Sequence, residues 1–353
     1  MIDIRDHGGS FGGGILKVGG YIRSSQLGVE ELISKNIIRN GSSAVTASNT
    51  TMKNNYIYHY DAGTRLVSKY DSNGNILVSF SIMPSINDIF ITFQFGQDDN
   101  LYSVYRANGD AGSYTVDRFN SDGQRDVNYR ATYINSDHLR SVQIYDALYF
   151  CHSTGRISKL ELDGTLTYTN ASNTLDLLYG GVPETPGALF FGYNGNGSIL
   201  KMSKSNGSRL WAWSNTNVGF STYAYAPKAY NSQRNELIWG SLNGMLARTN
   251  AGSNIAGSFL LGSINTNSLS LQGKAISLNE DTTKIVVPFG GYSQGEGIDI
   301  YNSTNLNRDL RFAIPGSTGY MGNFTYFTEK DDFFYAENSN NDFKIGSIQR
   351  KIL

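Results

Sequence analysis

Residues 55–82 read NYIYHYDAGTRLVSKYDSNGNILVSFSI. An aromatic-rich run at 55–60 is followed by Asp61-Ala62-Gly63, and a second run fills 64–70. The polar turn Asp71-Ser72-Asn73-Gly74 then leads into a third run at 75–82. Short runs of Tyr, Val, Ile and Phe bounded by Gly, Asn and Asp read as strands joined by turns. Asp at the start of the second turn and Gly at its fourth position suit a type I turn. Glycine takes the left-handed conformation that ends such a hairpin at no steric cost.

The same phrase returns. It is LYSVYRANGDAGSYTVDRFNSDGQRDVNYRAT at 101–132, LYFCHSTGRISKLELDGTLTYT at 148–169 and LFFGYNGNGSILKMSKSNGSRLWAW at 189–213. A looser version begins at 237, a further one at 285, and another begins at 333 and lacks its last strand. The turn glycines Gly74, Gly123, Gly164, Gly207 and Gly252 stand 49, 41, 43 and 45 residues apart. One further candidate strand precedes each unit, as at 89–95, 139–145 and 273–278. Four strands in about 45 residues is the pattern of a propeller blade.

The sequence therefore predicts an all-β fold, a seven-bladed β-propeller of four-stranded antiparallel blades, with six or eight blades as the alternatives. Residues 35–40, KNIIRN, are expected to supply the strand missing from the last unit. Pairing the two chain ends would close the ring and remove exposed sheet edges. Two packed β-sandwiches would explain strands and turns, but not one phrase returning at a fixed period. On this reading residues 35–353 are the propeller and 1–34 are a glycine-rich extended arm.

Composition fits. A chain of 353 residues would suggest two domains by length alone, but one closed ring accounts for most of it. Charged residues make up only 17%, while glycine numbers 39, tyrosine 23 and phenylalanine 18. Disorder needs low hydrophobicity and high charge, which this is not. The formal net charge of −1 and the lack of a basic stripe argue against nucleic-acid binding. No stretch approaches 18 apolar residues, so no membrane insertion is expected. The opening MIDIRDHGGSFGGG has no basic region followed by an apolar core, and it does not read as a signal peptide.

Searches for chemistry point to no catalytic residue. Gly8-Gly9-Ser10-Phe11-Gly12 and Gly291-Tyr292-Ser293-Gln294-Gly295 match G-x-S-x-G, but neither lies between a strand and a helix. Asp71–Asn75 begins like a calcium loop, yet its glycine falls at position four instead of six and Ile82 stands at twelve. His7, His59, His138 and His152 lack metal-ligand spacing, so neither metal nor cofactor is expected. The single cysteine, Cys151, neighbours His152 on a strand, where adjacent side chains leave on opposite faces. Cys151 reads as a small buried apolar residue.

Two resemblances add to this. KYDSNGNILVSF and SKSNGSRLWAW, with Trp211 and Trp213 on the outer strand, resemble the repeat of quinoprotein-like propellers. That resemblance covers most of the chain from about residue 44 onward and implies a fold, not a chemistry. MIDIRDHGGSFGGG resembles the first residues of tail-associated virion proteins from phages of Gram-positive hosts. It implies that residues 1–34 dock the chain onto other tail proteins through Ile2, Ile4, Arg5, His7 and Phe11. It also implies multiple copies per particle, assembled in the host cytoplasm and located in the virion.

A ligand is expected on the disc face formed by the loops between second and third strands. Candidates there are Tyr60, Asp61, Arg106, Asn108, Asp110, His152, Tyr193, Asn194, Tyr292, Glu296 and Asn338. Aromatic rings beside carboxylates and amides suit a host cell-surface glycan. The competing reading is that Asn, Asp and Gly are turn formers. The expected function is a non-enzymatic virion protein with a structural or host-adhesion role. The alternatives are a generic interaction scaffold and a glycan-cleaving enzyme. The enzyme would need carboxylates about 5–10 Å apart, and Glu296 with Asp110 or Glu337 are the pairs to inspect.

Overall fold

The computed structural model describes residues 15–17, 21–25, 28–40, 50–54, 56–71, 75–110, 112–135, 139–152, 156–169, 185–193, 198–213, 224–241, 244–252, 260–266, 276–278, 281–291, 295–313, 325–329, 332–339 and 342–352. The chain opens with β1 (Ile15–Lys17), β2 (Tyr21–Ser25) and β3 (Gly28–Asn40). Blade one is β4 (Thr50–Lys53), β5 (Tyr56–Asp61), β6 (Leu66–Tyr70) and β7 (Ile76–Ser81). Blade two is β8 (Ile89–Phe95), β9 (Leu101–Arg106), β10 (Ser113–Phe119) and β11 (Arg125–Ile134). Blade three is β12 (Leu139–Ile144), β13 (Ala147–His152), β14 (Ile157–Glu161) and β15 (Leu166–Thr169). Blade four has three strands among the described residues, β16 (Ala188–Tyr193), β17 (Ser198–Ser203) and β18 (Arg209–Trp213). Blade five is β19 (Ala224–Asn231), β20 (Glu236–Ser241), β21 (Met245–Asn250) and β22 (Leu260–Asn265). Blade six is β23 (Ser277–Leu278), β24 (Lys284–Gly291), β25 (Gly295–Asn302) and β26 (Arg308–Ala313). Last come β27 (Thr325–Glu329), β28 (Asp332–Ser339) and β29 (Asp342–Ile352).

The seven equal four-stranded blades expected from the sequence are corrected to six. The remaining strands form a composite sheet of six in the order β1-β2-β3-β29-β28-β27. It does not repeat the blade because the strand beside β29 comes from the other end of the chain and carries two more outward. β3 pairs antiparallel with β29 without a break, from Asn40 opposite Asp342 to Glu30 opposite Ile352. Leu32 and Ile33 in the stretch 25–36 also suit one or two helical turns by sequence, but β2 ends at Ser25 and β3 takes residues 28–36. The boundary placed at 34/35 falls inside β3, and 1–14 lie outside the described residues. Inner strands run side by side around the ring, β4 by β8, β8 by β12, β19 by β23, β23 by β27, and β27 by β4.

Blades stack face to face, so each second strand is buried on both sides. In β13 all six residues are buried. Ala147, Tyr149 and Cys151 pack toward blade four, while Leu148 and Phe150 pack toward blade two. Alternation along a strand thus serves two interfaces at once. Outer strands have one solvent side, and β22 alternates between half-buried and exposed residues along its whole length. Cys151 is 1% exposed, and burial pushes its thiol up to about 12, as expected of an inert core residue. Trp211 packs on the core edge-on to Phe190, with ring centroids 5.9 Å apart.

Polar contacts sew neighbouring blades together at the face formed by turns between third and fourth strands. Lys69 Nζ lies over the Tyr56 ring and donates to Asp122 of blade two at 2.8 Å. Lys201 Nζ reaches the carbonyl of Ala251 in blade five at 2.8 Å. Two fully buried third-strand acids are neutralised within their own blades. Asp117 accepts from Tyr105 at 2.8 Å and from Arg125 at 2.9 Å. Asp299 takes two bonds from Arg311, at 2.7 and 2.6 Å.

Candidate functional site

The opposite face carries the loops between second and third strands together with the connections between blades. Across blades one to three it is held by a run of hydrogen bonds. Asp61 ends β5, and its Oδ1 accepts the Gly63 N–H at 2.8 Å, folding the turn locally. Arg65 closes that turn at φ 60°. Its guanidinium donates to the carbonyls of Ser85 and Asp88 at 2.9 and 3.0 Å. Asp88, 4% exposed, accepts the Ser85 N–H at 2.8 Å and the Asn108 N–H of blade two at 3.0 Å. Asn108 is exposed and sits at φ 51° in the turn Ala107–Gly109. Asp110 then accepts the Gly112 N–H at 3.0 Å, and the Gly112 carbonyl accepts the Asn135 N–H at 2.8 Å.

From Asn135 the run turns inward. Its side-chain amide donates to the Tyr133 hydroxyl at 2.8 Å. That hydroxyl lies 2.6 Å from His152 Nε2 and 2.7 Å from Ser158 Oγ, and Ser158 in turn reaches Thr169 at 3.1 Å. The Tyr133 ring stacks on Phe150 at 4.4 Å. Tyr114, beside them, has its hydroxyl pKa raised by burial; the Leu139 N–H and the charge of Arg106 act in the other direction.

The residues picked from sequence fall into four groups. Asp61, Asn108 and Asp110 are on this face, each fixing a turn, and Arg106 stands half-buried beside them. Tyr60 and His152 are corrected from surface contacts to core residues, at 3% and 0% exposure. Tyr60 stacks on Phe90 with centroids 4.1 Å apart, and burial raises its hydroxyl pKa. Both were misplaced because a second strand stays enclosed to its last residues. Tyr193, Glu296 and Asn338 hold strand positions opposite Ser198, Gly290 and Phe343. Asn194 and Tyr292 lie outside the described residues, as do Ile2, Ile4, Arg5, His7 and Phe11. Sequence reasoning missed Arg65, Asp88, Tyr133 and Asn135. Nothing local in the sequence marks them, since the positive φ of Arg65 is set only by the folded turn.

Antiparallel blades set around a ring, with inner strands side by side, define a β-propeller. No protein-family model matches the chain, and no curated protein matches it. Among solved structures the fold is similar to a streptogramin B lyase structure, with 14% identity and a TM-score of 0.62 over 91% of this chain and 98% of the other. It is similar to a catalytically inactive virginiamycin B lyase from Staphylococcus aureus with quinupristin, with 13% identity and a TM-score of 0.60 over 90% and 99%. It is also similar to a chain of the mitotic checkpoint complex, with 12% identity and a TM-score of 0.63 over 88% and 90%. Identities this low speak for the fold alone.

Proposed function

We propose that this chain is a non-enzymatic propeller carried on a phage tail, with a structural or host-adhesion role toward a cell-wall glycan. The observation that carries the reading is how the N-terminal segment joins the ring. Residues 1–14, whose sequence resembles the opening of tail-associated virion proteins, lead directly into β1 at the edge of the composite sheet. Within that sheet eleven register pairs join β3 to β29, which comes from the other end of the chain. A load on residues 1–14 would enter the described structure at β1, the edge strand of the closing sheet. The face bearing Asp61, Asn108 and Asp110 is left for the ligand.

The test removes residues 1–14 and keeps β1 to β3, so ring closure is preserved. Tail particles assembled with this truncation should lack the propeller, while the purified truncated protein keeps its folded circular-dichroism spectrum and its binding to host cells. Normal incorporation into particles would overturn the docking role. Turnover of purified host cell walls by the intact protein would overturn the non-enzymatic reading.

A further inference from the structure

Arg106 ends β9 opposite Ile89. Side chains alternate along a strand, so it leaves on the same face as Tyr102 and Val104, which belong to the cluster shared by blades two and three. On that face it acts electrostatically on the Tyr114 hydroxyl, and Tyr114 stacks with Tyr133 at 6.1 Å. The guanidinium therefore stands at the junction of blades two and three, at the loop end, against an aromatic wall.

Several half-buried arginines have acceptors for their guanidinium groups. Arg65 has two carbonyls, Arg311 has Asp299 and Arg234 has Glu236. The buried Nε of Arg106 meets no acceptor among the described residues; the Nε atoms of Arg156 and Arg248 share this, but those two residues interact through other atoms, Arg248 donating from Nη1 to Glu236 at 3.2 Å. A buried donor without an acceptor is costly, and an anion bound there would remove that cost. Nε and a terminal nitrogen of a guanidinium form a planar fork that matches two oxygens of a carboxylate or phosphate.

We propose that Arg106 is the seat of an oxyanion, a phosphate or carboxylate group on the ligand that meets this face. The identification of that ligand as an anionic cell-wall glycan rests on the adhesion reading; the anion seat itself does not. The test uses full-length ¹⁵N-labelled protein and follows the Arg106 Nε–H resonance, assigned by its loss in Arg106→Lys. Inorganic phosphate and acetate are titrated separately to about 50 mM at constant ionic strength. The resonance should shift saturably with at least one of them, while that of the exposed Arg209 should not. Saturation by phosphate alone points to a phosphodiester polymer, and by acetate alone to an acidic sugar. Arg106→Gln should weaken binding at least tenfold by calorimetry. No saturable shift with either anion, or unchanged binding by Arg106→Gln, overturns the proposal. If Arg106→Gln fails to fold, the wild-type titration decides by itself. Particle incorporation of the 1–14 truncation does not involve Arg106, so the two readings fail separately.

Discussion

Single residues set the spacing between blades, and Gly123 does so most tightly. It closes the turn between β10 and β11 at φ 80°, donating its N–H to the Asn120 carbonyl at 3.0 Å. A methyl group there would fall inside the ring of Phe80, which belongs to the outer strand of blade one. The position needs glycine twice over, for the left-handed backbone and for the close approach of a neighbouring blade. Gly187 shares the backbone requirement at φ 69° but has nothing within 4 Å of where a methyl would go. Gly187→Ala should therefore cost about 1 kcal/mol, and Gly123→Ala about 2–4 kcal/mol because repacking adds to the same term. Urea denaturation of the two variants checks this. Equal losses would mean that Phe80 moves aside freely and that the turn does not set the spacing.

Among the elements, β3 and β29 carry the closure, and the two outermost strands are appendages to it. β3 meets β29 over eleven register pairs, β2 meets β3 over five, and β1 meets β2 over three. Removing 1–25 takes away the two short strands and keeps the long pair. The midpoint of thermal unfolding should then stay within a few degrees, about 1 kcal/mol or less. Removing 342–352 leaves β28 and β3 without their shared neighbour and splits the sheet. Cooperative unfolding should be lost, and trypsin should cut the chain under native conditions. Similar effects from both deletions would show that the ring does not depend on this seam. The closing sheet is also where sequence reading went astray. The second strands were legible because double-sided burial writes them as near-continuous apolar runs, LYSVY at 101 and LYFC at 148. Leu32 and Ile33 could sit in a helix or a strand, and the pairing partner that decides lies more than 300 residues away. The candidate face was legible only in its turn formers. Arg65, Asp88 and Asn135 act across blades, and contacts between blades leave no local pattern.

Taken as a whole, the ring is glued by tyrosines that must stay neutral. Burial pushes the hydroxyls of Tyr105 and Tyr129 up to about 12. It raises those of Tyr102 and Tyr301 as well. An unfolded chain releases these protons near pH 10, so above that pH it binds fewer protons than the folded ring. A raised pKa on a group that is neutral when protonated contributes stability in full below the unfolded value. That contribution is lost as pH rises through the folded one. The thermal midpoint should fall steadily between about pH 10 and pH 12. In absorbance at 295 nm the buried set should appear only as circular dichroism is lost. Tyr129 offers a sharper test, because its hydroxyl is buried with no hydrogen-bond partner among the described residues. Its ring lies under Arg118 at 4.6 Å, an attraction that phenylalanine preserves. Tyr129→Phe should thus stabilise the protein by about 1 kcal/mol at pH 7, with the gain growing as pH rises. A loss of stability at neutral pH, or a gain that does not grow, would mean that the hydroxyl is satisfied in solution and that burial of this ring is not what makes the propeller sensitive to alkali.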